Sequence, residues 1–395
     1  MQDFLAEAQG LADSMTADRR WLHQHPEVGF DLPETTAYVK ARLCEMGYAP
    51  TELVPGGLVA TVGRTDGPCY LLRADMDALP LREETGLPFA STNGNMHACG
   101  HDLHTAMLLG AARLLKDHED ELGGCVKLMF QPDEEATAPG ELLGGQSMID
   151  AGLLADPTVG AASAIHVNTM EHPLGTVGAS RGTAALSIDD VDVRVTGRGT
   201  HGASPEQGVD PINIACHIHI ALQELLAREV SPYETACLTF GLIQGGSAAN
   251  IIPEEARLLG TLRCAGEDQR ARLQAAIRRT VVGVARAFGG EADVLFLRGL
   301  SNVWNDPALT DELCGYVAEG TGVEPHDCLP LSGSDDFCAV SHAVPSTYFL
   351  LGAAPAGERP WPLHSSHIVF DEAVMPLGAA LHVSCALGWL RRHGV

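Results

Sequence analysis

Four short clusters in this 395-residue chain carry side chains able to bind a metal ion. They are Arg73-Ala-Asp-Met-Asp-Ala-Leu-Pro80, His97-Ala-Cys-Gly-His-Asp-Leu-His104, Gln131-Pro-Asp-Glu-Glu135 and Pro362-Leu-His-Ser-Ser-His367, and a single His166 closes the apolar run AASAIHV. Imidazole, thiolate and carboxylate together suit zinc, manganese, cobalt or nickel better than magnesium or calcium. Cys99 and His101 form a C-x-H pair on a glycine-containing turn, close enough to point at neighbouring metal positions. Glu134 and Glu135 offer one ligand and one general base, and a base beside metal-activated water is the logic of metal-assisted hydrolysis. Each cluster taken alone has an ordinary reading: a lone histidine ending a strand is usually structural, and a Glu-Glu pair after a strand is commonly a solvated turn. What joins them is position. Asp75, Glu134, Glu135 and His166 all fall at the carboxyl ends of expected strands, the edge of an open α/β sheet where ligands bind.

The elements that must hold these residues are legible as alternating strands and helices. Asp31 is placed to cap a helix with Pro33 in its first turn, running through TTAYVKARLCEM to a stop at Gly47. CYLLRA (69–74), CVKLMF (125–130) and AASAIHV (161–167) read as buried strands. HTAMLLGAARLL (104–115) and GGQSMIDAGLL (144–154) read as helices. This alternation implies an α/β fold, a mostly parallel sheet flanked by helices. From about residue 186 the pattern changes. SIDDVDVRVTG alternates at period two, a helix follows over 211–229, then two strands, a long amphipathic helix over 267–288 and a last strand. The order β-α-β-β-α-β is the ferredoxin-like motif. It predicts an inserted second domain at 186–297 within a catalytic domain made of 1–185 and 298–395. That domain resumes with a helix near 307–320, a strand at 344–352 and a closing helix from Asp371.

Composition narrows the function. The formal net charge of −26 gives no basic footprint for nucleic acid or an anionic membrane. The first twenty residues lack the apolar core of a signal peptide, and no apolar run is expected to span a bilayer. Eleven scattered cysteines without a secretion signal read as reduced thiols in a cytoplasmic protein, most of them buried. Gly197-Arg-Gly-Thr-His-Gly202 matches a dinucleotide fingerprint but is followed by Ala-Ser-Pro, not by the helix that a phosphate site requires. His23, His25, His217 and His219 are read as structural.

The ordered motifs RRWLHQHPEVGF, RADMDALP, HACGHDLHTAMLLGAA, FQPDEE, GRGTHGASPEQGVDPI, GGSAANIIPEEARLLGTLR, GSDDF and PLHSS span nearly the whole chain. Together they resemble the amidohydrolase branch of the M20 metallopeptidase superfamily, which holds hippurate hydrolases, N-acyl-amino-acid deacylases and auxin-conjugate hydrolases. The resemblance implies Cys99, His101, Glu135, His166 and His364 as metal ligands and Glu134 as the catalytic acid/base. Asp75 and Asp77 would support the ligands from behind. His201 would stabilise the oxyanion, often across a homodimer interface in relatives, and Asn250 with Arg263 would grip a substrate carboxylate. Two divalent ions per chain follow, zinc or manganese first and cobalt or nickel as alternatives, because the ligand set is too large for one tetrahedral site.

The expected reaction is hydrolysis of a small-molecule amide, an N-acyl amino acid or a similar carboxylate-bearing conjugate. A dipeptidase or carboxypeptidase on the same scaffold, a non-catalytic metal-binding protein and a cysteine hydrolase built on Cys99 are the competing readings. Two departures from the family pattern bear on specificity. Asp335 stands where relatives carry the longer glutamate of G-S-E-D-F, and the segment after Glu135 differs from the usual shorter, glycine-rich turn.

Overall fold

The computed structural model describes residues 3–135, 143–357 and 360–394. Most of the unusual segment after Glu135, residues 136–142, lies outside the described residues. The chain forms two compact units, one of residues 1–184, 303–329 and 336–395, the other of 185–302 and 330–335.

The first unit is built on a seven-stranded sheet in the order Thr51–Val54, Gly57–Gly63, Cys125–Gln131, Cys69–Asp75, Val159–Asn168, Ser346–Gly352 and Val177–Gly178. Its four central strands run parallel, and the flanking strands are antiparallel. Central parallel strands are covered on both faces and need apolar residues throughout. Cys69–Asp75, Cys125–Gln131 and Ser346–Gly352 are accordingly buried at every position. The helices His101–Asp117 and Met375–His393 pack on each other and on the central strands.

Three sequence expectations are corrected here. The helix near residue 31 starts at Pro33 with Leu32 as its cap residue, and Asp31 does not cap it. The carboxylate of Glu27 instead accepts the free amides of Glu34 and Thr35, at 3.1 and 2.8 Å. The helix expected from 104 begins at His101, immediately after Gly100 in the left-handed region. Finally, Glu372–His393 is long and apolar enough by composition to cross a bilayer, contrary to the sequence reading. Since 89% of its apolar window is buried inside the protein, its hydrophobicity is explained as that of a core helix.

The second unit is a four-stranded antiparallel sheet in the order Ala236–Gly245, Glu255–Cys264, Ile188–Thr196 and Glu291–Leu300. Helices Pro211–Glu229 and Glu267–Ala287 pack against each other and the sheet around a core that includes Val193, Ile218, Leu258 and Ile277. The connectivity is β-α-β-β-α-β, the ferredoxin-like arrangement.

Candidate metal centre

Within the first unit the carboxyl ends of the central strands bring the candidate ligands together. Cys69–Asp75 delivers Asp75, and its continuation delivers Asp77. Cys125–Gln131 leads into Glu134 and Glu135. Val159–Asn168 carries His166. Cys99 precedes the helix that opens with His101. His364 arrives from the C-terminal loop, its amide donating to the carbonyl of Ala98 at 3.0 Å. Its φ of 64° places a non-glycine residue in the left-handed region, a strained backbone that persists only where surrounding structure enforces it.

Cys99 Sγ lies 3.5 Å from His166 Nε2 and 3.3 Å from His364 Nε2. His364 Nε2 is 3.4 Å from a carboxylate oxygen of Glu135. His101 Nε2 stands 3.8 Å from Asp75, 3.9 Å from Glu134 and 4.0 Å from Glu135, beyond hydrogen-bonding range. Donors bound at about 2.0–2.3 Å to one tetrahedral ion stand roughly 3.3–3.8 Å apart, close to the spacing seen here. Buried Nε2 of His101 and Oε1 of Glu135 have no hydrogen-bond partner among the described residues. The residues therefore fit divalent cations, and their mixed N, S and O chemistry is that of zinc and its neighbours.

The electrostatics agree. Burial pushes the Cys99 thiol well above its ordinary range, with the charge of Glu135 adding to it. Burial likewise raises the Glu135 carboxyl to about 7. In both, burial outweighs the opposing pull of His101. Burial opposes ionisation of Asp75 as well, but Arg73, His101 and His104 outweigh it and hold its carboxyl well below the usual range. Burial also opposes charge on His101, and Asp75 and Asp77 overcome it.

Hydrogen bonds fix which ring nitrogen of each histidine is available. His101 Nδ1 is 2.8 Å from the Asp77 carbonyl, and His166 Nδ1 is 2.7 Å from the Val167 carbonyl. A carbonyl can only accept, so in both rings Nδ1 carries the proton and Nε2 is turned to the cluster. Asp77 also accepts the amide of Glu135 at 3.1 Å, which ties the two acidic segments together.

His104 was part of the second sequence cluster but is fully engaged elsewhere. Its Nδ1 donates to Asp75 at 2.6 Å and its Nε2 accepts the amide of Val167 at 2.9 Å. The sequence reading missed this residue's supporting role, together with those of Arg73, Gln131 and Asp336. A signal for two of them was present: Arg73 and Gln131 interrupt strands whose double burial otherwise demands apolar residues.

The other three candidates belong to the second unit. His201 pairs with Ile251 in a two-residue ladder, and the amide of Gly202 donates to the Asn250 carbonyl at 2.8 Å, so His201 and Asn250 are neighbours. His201 Nδ1 accepts from the amide of Ala203 at 3.0 Å, which puts the proton of the neutral ring on exposed Nε2. Arg263, on Glu255–Cys264, donates to Ser334 Oγ at 3.3 Å. Only a two-residue strand and a short 3₁₀ turn precede the helix at Pro211, so no helix opens on the glycine-rich stretch.

A doubly wound sheet edge carrying clustered nitrogen, sulfur and carboxylate donors defines a metal-binding hydrolase scaffold. Comparison places it more closely: the profile of peptidase family M20/M25/M40 matches residues 71–387, and the chain belongs to that family. It is 37% identical to N-acetyl-L-cysteine deacetylase of Bacillus subtilis, over 92% of this chain and 85% of that one. It is 34% identical to IAA-amino acid hydrolase ILR1-like 4 of Arabidopsis thaliana, over 98% and 88%. Among solved structures, a dinuclear metal-binding peptidase of the M20 family from Bacillus subtilis superposes with a TM-score of 0.84 at 30% identity, covering 97% of this chain and 99% of that one. The chain is thus a hydrolase of the M20 family.

Proposed function

We propose that the protein is a two-cation amidohydrolase that cleaves N-acyl amino acids or similar carboxylate-bearing amide conjugates. The observation that carries this reading is the convergence of Cys99, His101, Glu135, His166 and His364 with Glu134 at one sheet edge. The named activities of the deacetylase and conjugate-hydrolase relatives support the substrate class. Those five side chains would hold the ions, zinc or manganese in preference to cobalt or nickel. Divalent cations bound there would acidify water and polarise the amide carbonyl.

The residues of the chain do the rest. Glu134 takes a proton from the attacking water and returns it to the amine nitrogen as the C–N bond breaks, releasing a carboxylic acid and an amine. His201 donates its Nε2 proton in a hydrogen bond to the oxyanion. Arg263 and Asn250 hold the substrate carboxylate, the guanidinium through parallel hydrogen bonds. Asp75 and Asp77 keep the ligands oriented. The catalytic domain is assigned to 1–185 and 298–395 and the inserted domain to 186–297, through which the chain forms a homodimer in the cytoplasm.

The test is metal analysis joined to a substrate screen. Protein purified without oxygen and saturated with zinc or manganese is expected to carry two ions per chain. It should hydrolyse N-acyl amino acids, lose activity on dialysis against a chelator and regain it on metal addition. Zero stoichiometry under saturating metal refutes the reading.

A further inference from the structure

Asp336 follows the Asp335 that departs from the family pattern, and nothing in the proposed chemistry uses it. It is fully buried. Its Oδ1 accepts from Arg73 Nη2 at 3.0 Å and from Gln131 Nε2 at 2.6 Å, and its Oδ2 accepts the amide of Gly145 at 2.8 Å. Gln131 is the last residue of the strand before Glu134–Glu135, and Gly145 lies in the first turn of the helix after that segment. One carboxylate therefore grips the chain on both sides of the two glutamates.

The same carboxylate reaches the histidine side of the cluster. Arg73, also buried, donates through Nε to Gln131 at 2.9 Å and through Nη1 to Asp75 at 2.5 Å. Asp75 accepts from His104 at 2.6 Å, and His104 accepts the amide of Val167, the residue after His166. An unbroken path of buried hydrogen bonds runs from Asp336 to the backbone beside His166.

We propose that Asp336 is a positioning residue for the metal centre, clamping the Glu134–Glu135 segment directly and the His166 strand end through Arg73, Asp75 and His104. Three donors on two oxygens are a demand that a carboxylate meets and an amide does not. In Asp336→Asn one of the two acceptor positions becomes an NH₂ facing an N–H donor. Partners of this kind behind the ligands are worth about 10- to 100-fold in metal affinity.

Asp336→Asn is therefore expected to weaken cobalt(II) binding by about 10- to 100-fold, measured on the full-length protein by competition with a chromophoric chelator. Leu313→Ala, a buried core change on the helix Pro307–Thr321, should lower the melting temperature and leave the cobalt affinity unchanged. A merely structural role for Asp336 would make the two variants behave alike. Gly145→Ala supplies an independent arm should Asp336→Asn fail to fold. Its added Cβ would meet Asp336 Oδ2 at 3.0 Å, while alanine improves helix propensity. It should weaken cobalt binding in the same direction. Because the same Cβ also meets the Asp336 backbone oxygen at 3.0 Å, any fall in its melting temperature is set against Leu313→Ala, which loses stability without losing cobalt affinity. Wild-type cobalt affinity in a folded Asp336→Asn protein overturns the inference, as does wild-type affinity in Gly145→Ala if Asp336→Asn does not fold. The inference rests on the proposed metal site, and the two fail differently: wild-type protein that binds no cobalt refutes the site itself.

Discussion

Gly100 sits between two candidate ligands and offers a perturbation whose size follows from the coordinates. Its φ is +88°, and a Cβ built there would lie 2.3 Å from Val167 Cγ2 and 3.2 Å from Phe370 Cζ. Both neighbours are buried. Placing alanine in the left-handed region costs about 1–2 kcal/mol, and forcing a methyl group into packed core about 1–3 kcal/mol more. Gly100→Ala should thus destabilise the first unit by about 2–5 kcal/mol, a large part of the ~5–15 kcal/mol typical of a folded domain. Relief of the clash should then displace Cys99, His101 and the strand end at His166 together. Adding Val167→Ala removes the Cγ2 methyl but leaves the backbone cost. In that background, with only the 3.2 Å approach to Phe370 Cζ left, Gly100→Ala should cost less, toward the ~1–2 kcal/mol of the backbone alone. Urea unfolding of the metal-free variants, followed by tryptophan fluorescence, is the assay. Trp21, Trp304, Trp361 and Trp389 all lie in the first unit, so the signal reports that unit. Equal costs in the two backgrounds would refute the steric account.

Three further outcomes are expected. Glu134→Gln should retain its metal and lose about 10²–10⁴-fold in kcat, whereas Glu135→Gln should lose metal affinity; near-normal turnover in Glu134→Gln would sink the assignment of the base. Wild-type enzyme should cleave an N-acyl amino acid and spare its carboxamide, with Arg263→Ala erasing that preference through kcat/KM; equal cleavage of acid and amide by the wild type would contradict a carboxylate grip. His118 tethers the first helix by ring contacts to Glu7 and Glu121, each at 2.7 Å. Burial alone would lower its pKa, but the two carboxylates raise it overall. Stability from a raised histidine pKa is fully present below its unfolded value near 6.5 and is lost as pH climbs through the folded one. The stability advantage of wild type over His118→Gln should be about 0.2–1 kcal/mol at pH 6 and shrink by pH 9; an advantage that grows with pH would reverse the sign of the argument.

How much of this could be read from the sequence depended on whether a residue's partners were local. The central strands were visible because burial on both faces imposes unbroken apolar runs, and the ferredoxin-like order because period-two and helical patterns alternate cleanly. Candidate ligands were visible because metal-binding residue types gathered at expected strand ends. The helix cap was misplaced because the acceptor comes from Glu27, on a chain segment that folds back from before Asp31, and local spacing favours the nearer acid. The closing helix was expected from Asp371, but its apolar length reflects burial inside the first unit, which depends on partners far along the chain. Asp336 was invisible because its partners, Arg73, Gln131 and Gly145, lie about 190 to 260 positions away and meet it only when strand order is known.

The same long-range partners explain which histidines can serve as ligands. A metal-bound imidazole needs one nitrogen free of protons and a second nitrogen anchored. His101 and His166 meet that condition, with Nδ1 bound to a carbonyl and Nε2 turned to the cluster. His104 fails it because both nitrogens are engaged, one by Asp75 and one by the Val167 amide. His23 fails it in the same way: its nitrogens contact Asp102 at 2.8 Å and Glu83 at 3.1 Å. Both of its nitrogens are thus engaged by carboxylates, whereas Nε2 of His101 has no hydrogen-bond partner among the described residues. Asp102, which neighbours His101, also accepts from Arg19 at 2.8 Å. Removing both Arg19 and His23 would strand the buried Asp102 charge in the first turn of the helix that begins at His101, a loss of about 3–5 kcal/mol for such a charge. Histidines of identical chemistry thus divide into candidate ligands and supports according to what already holds each ring.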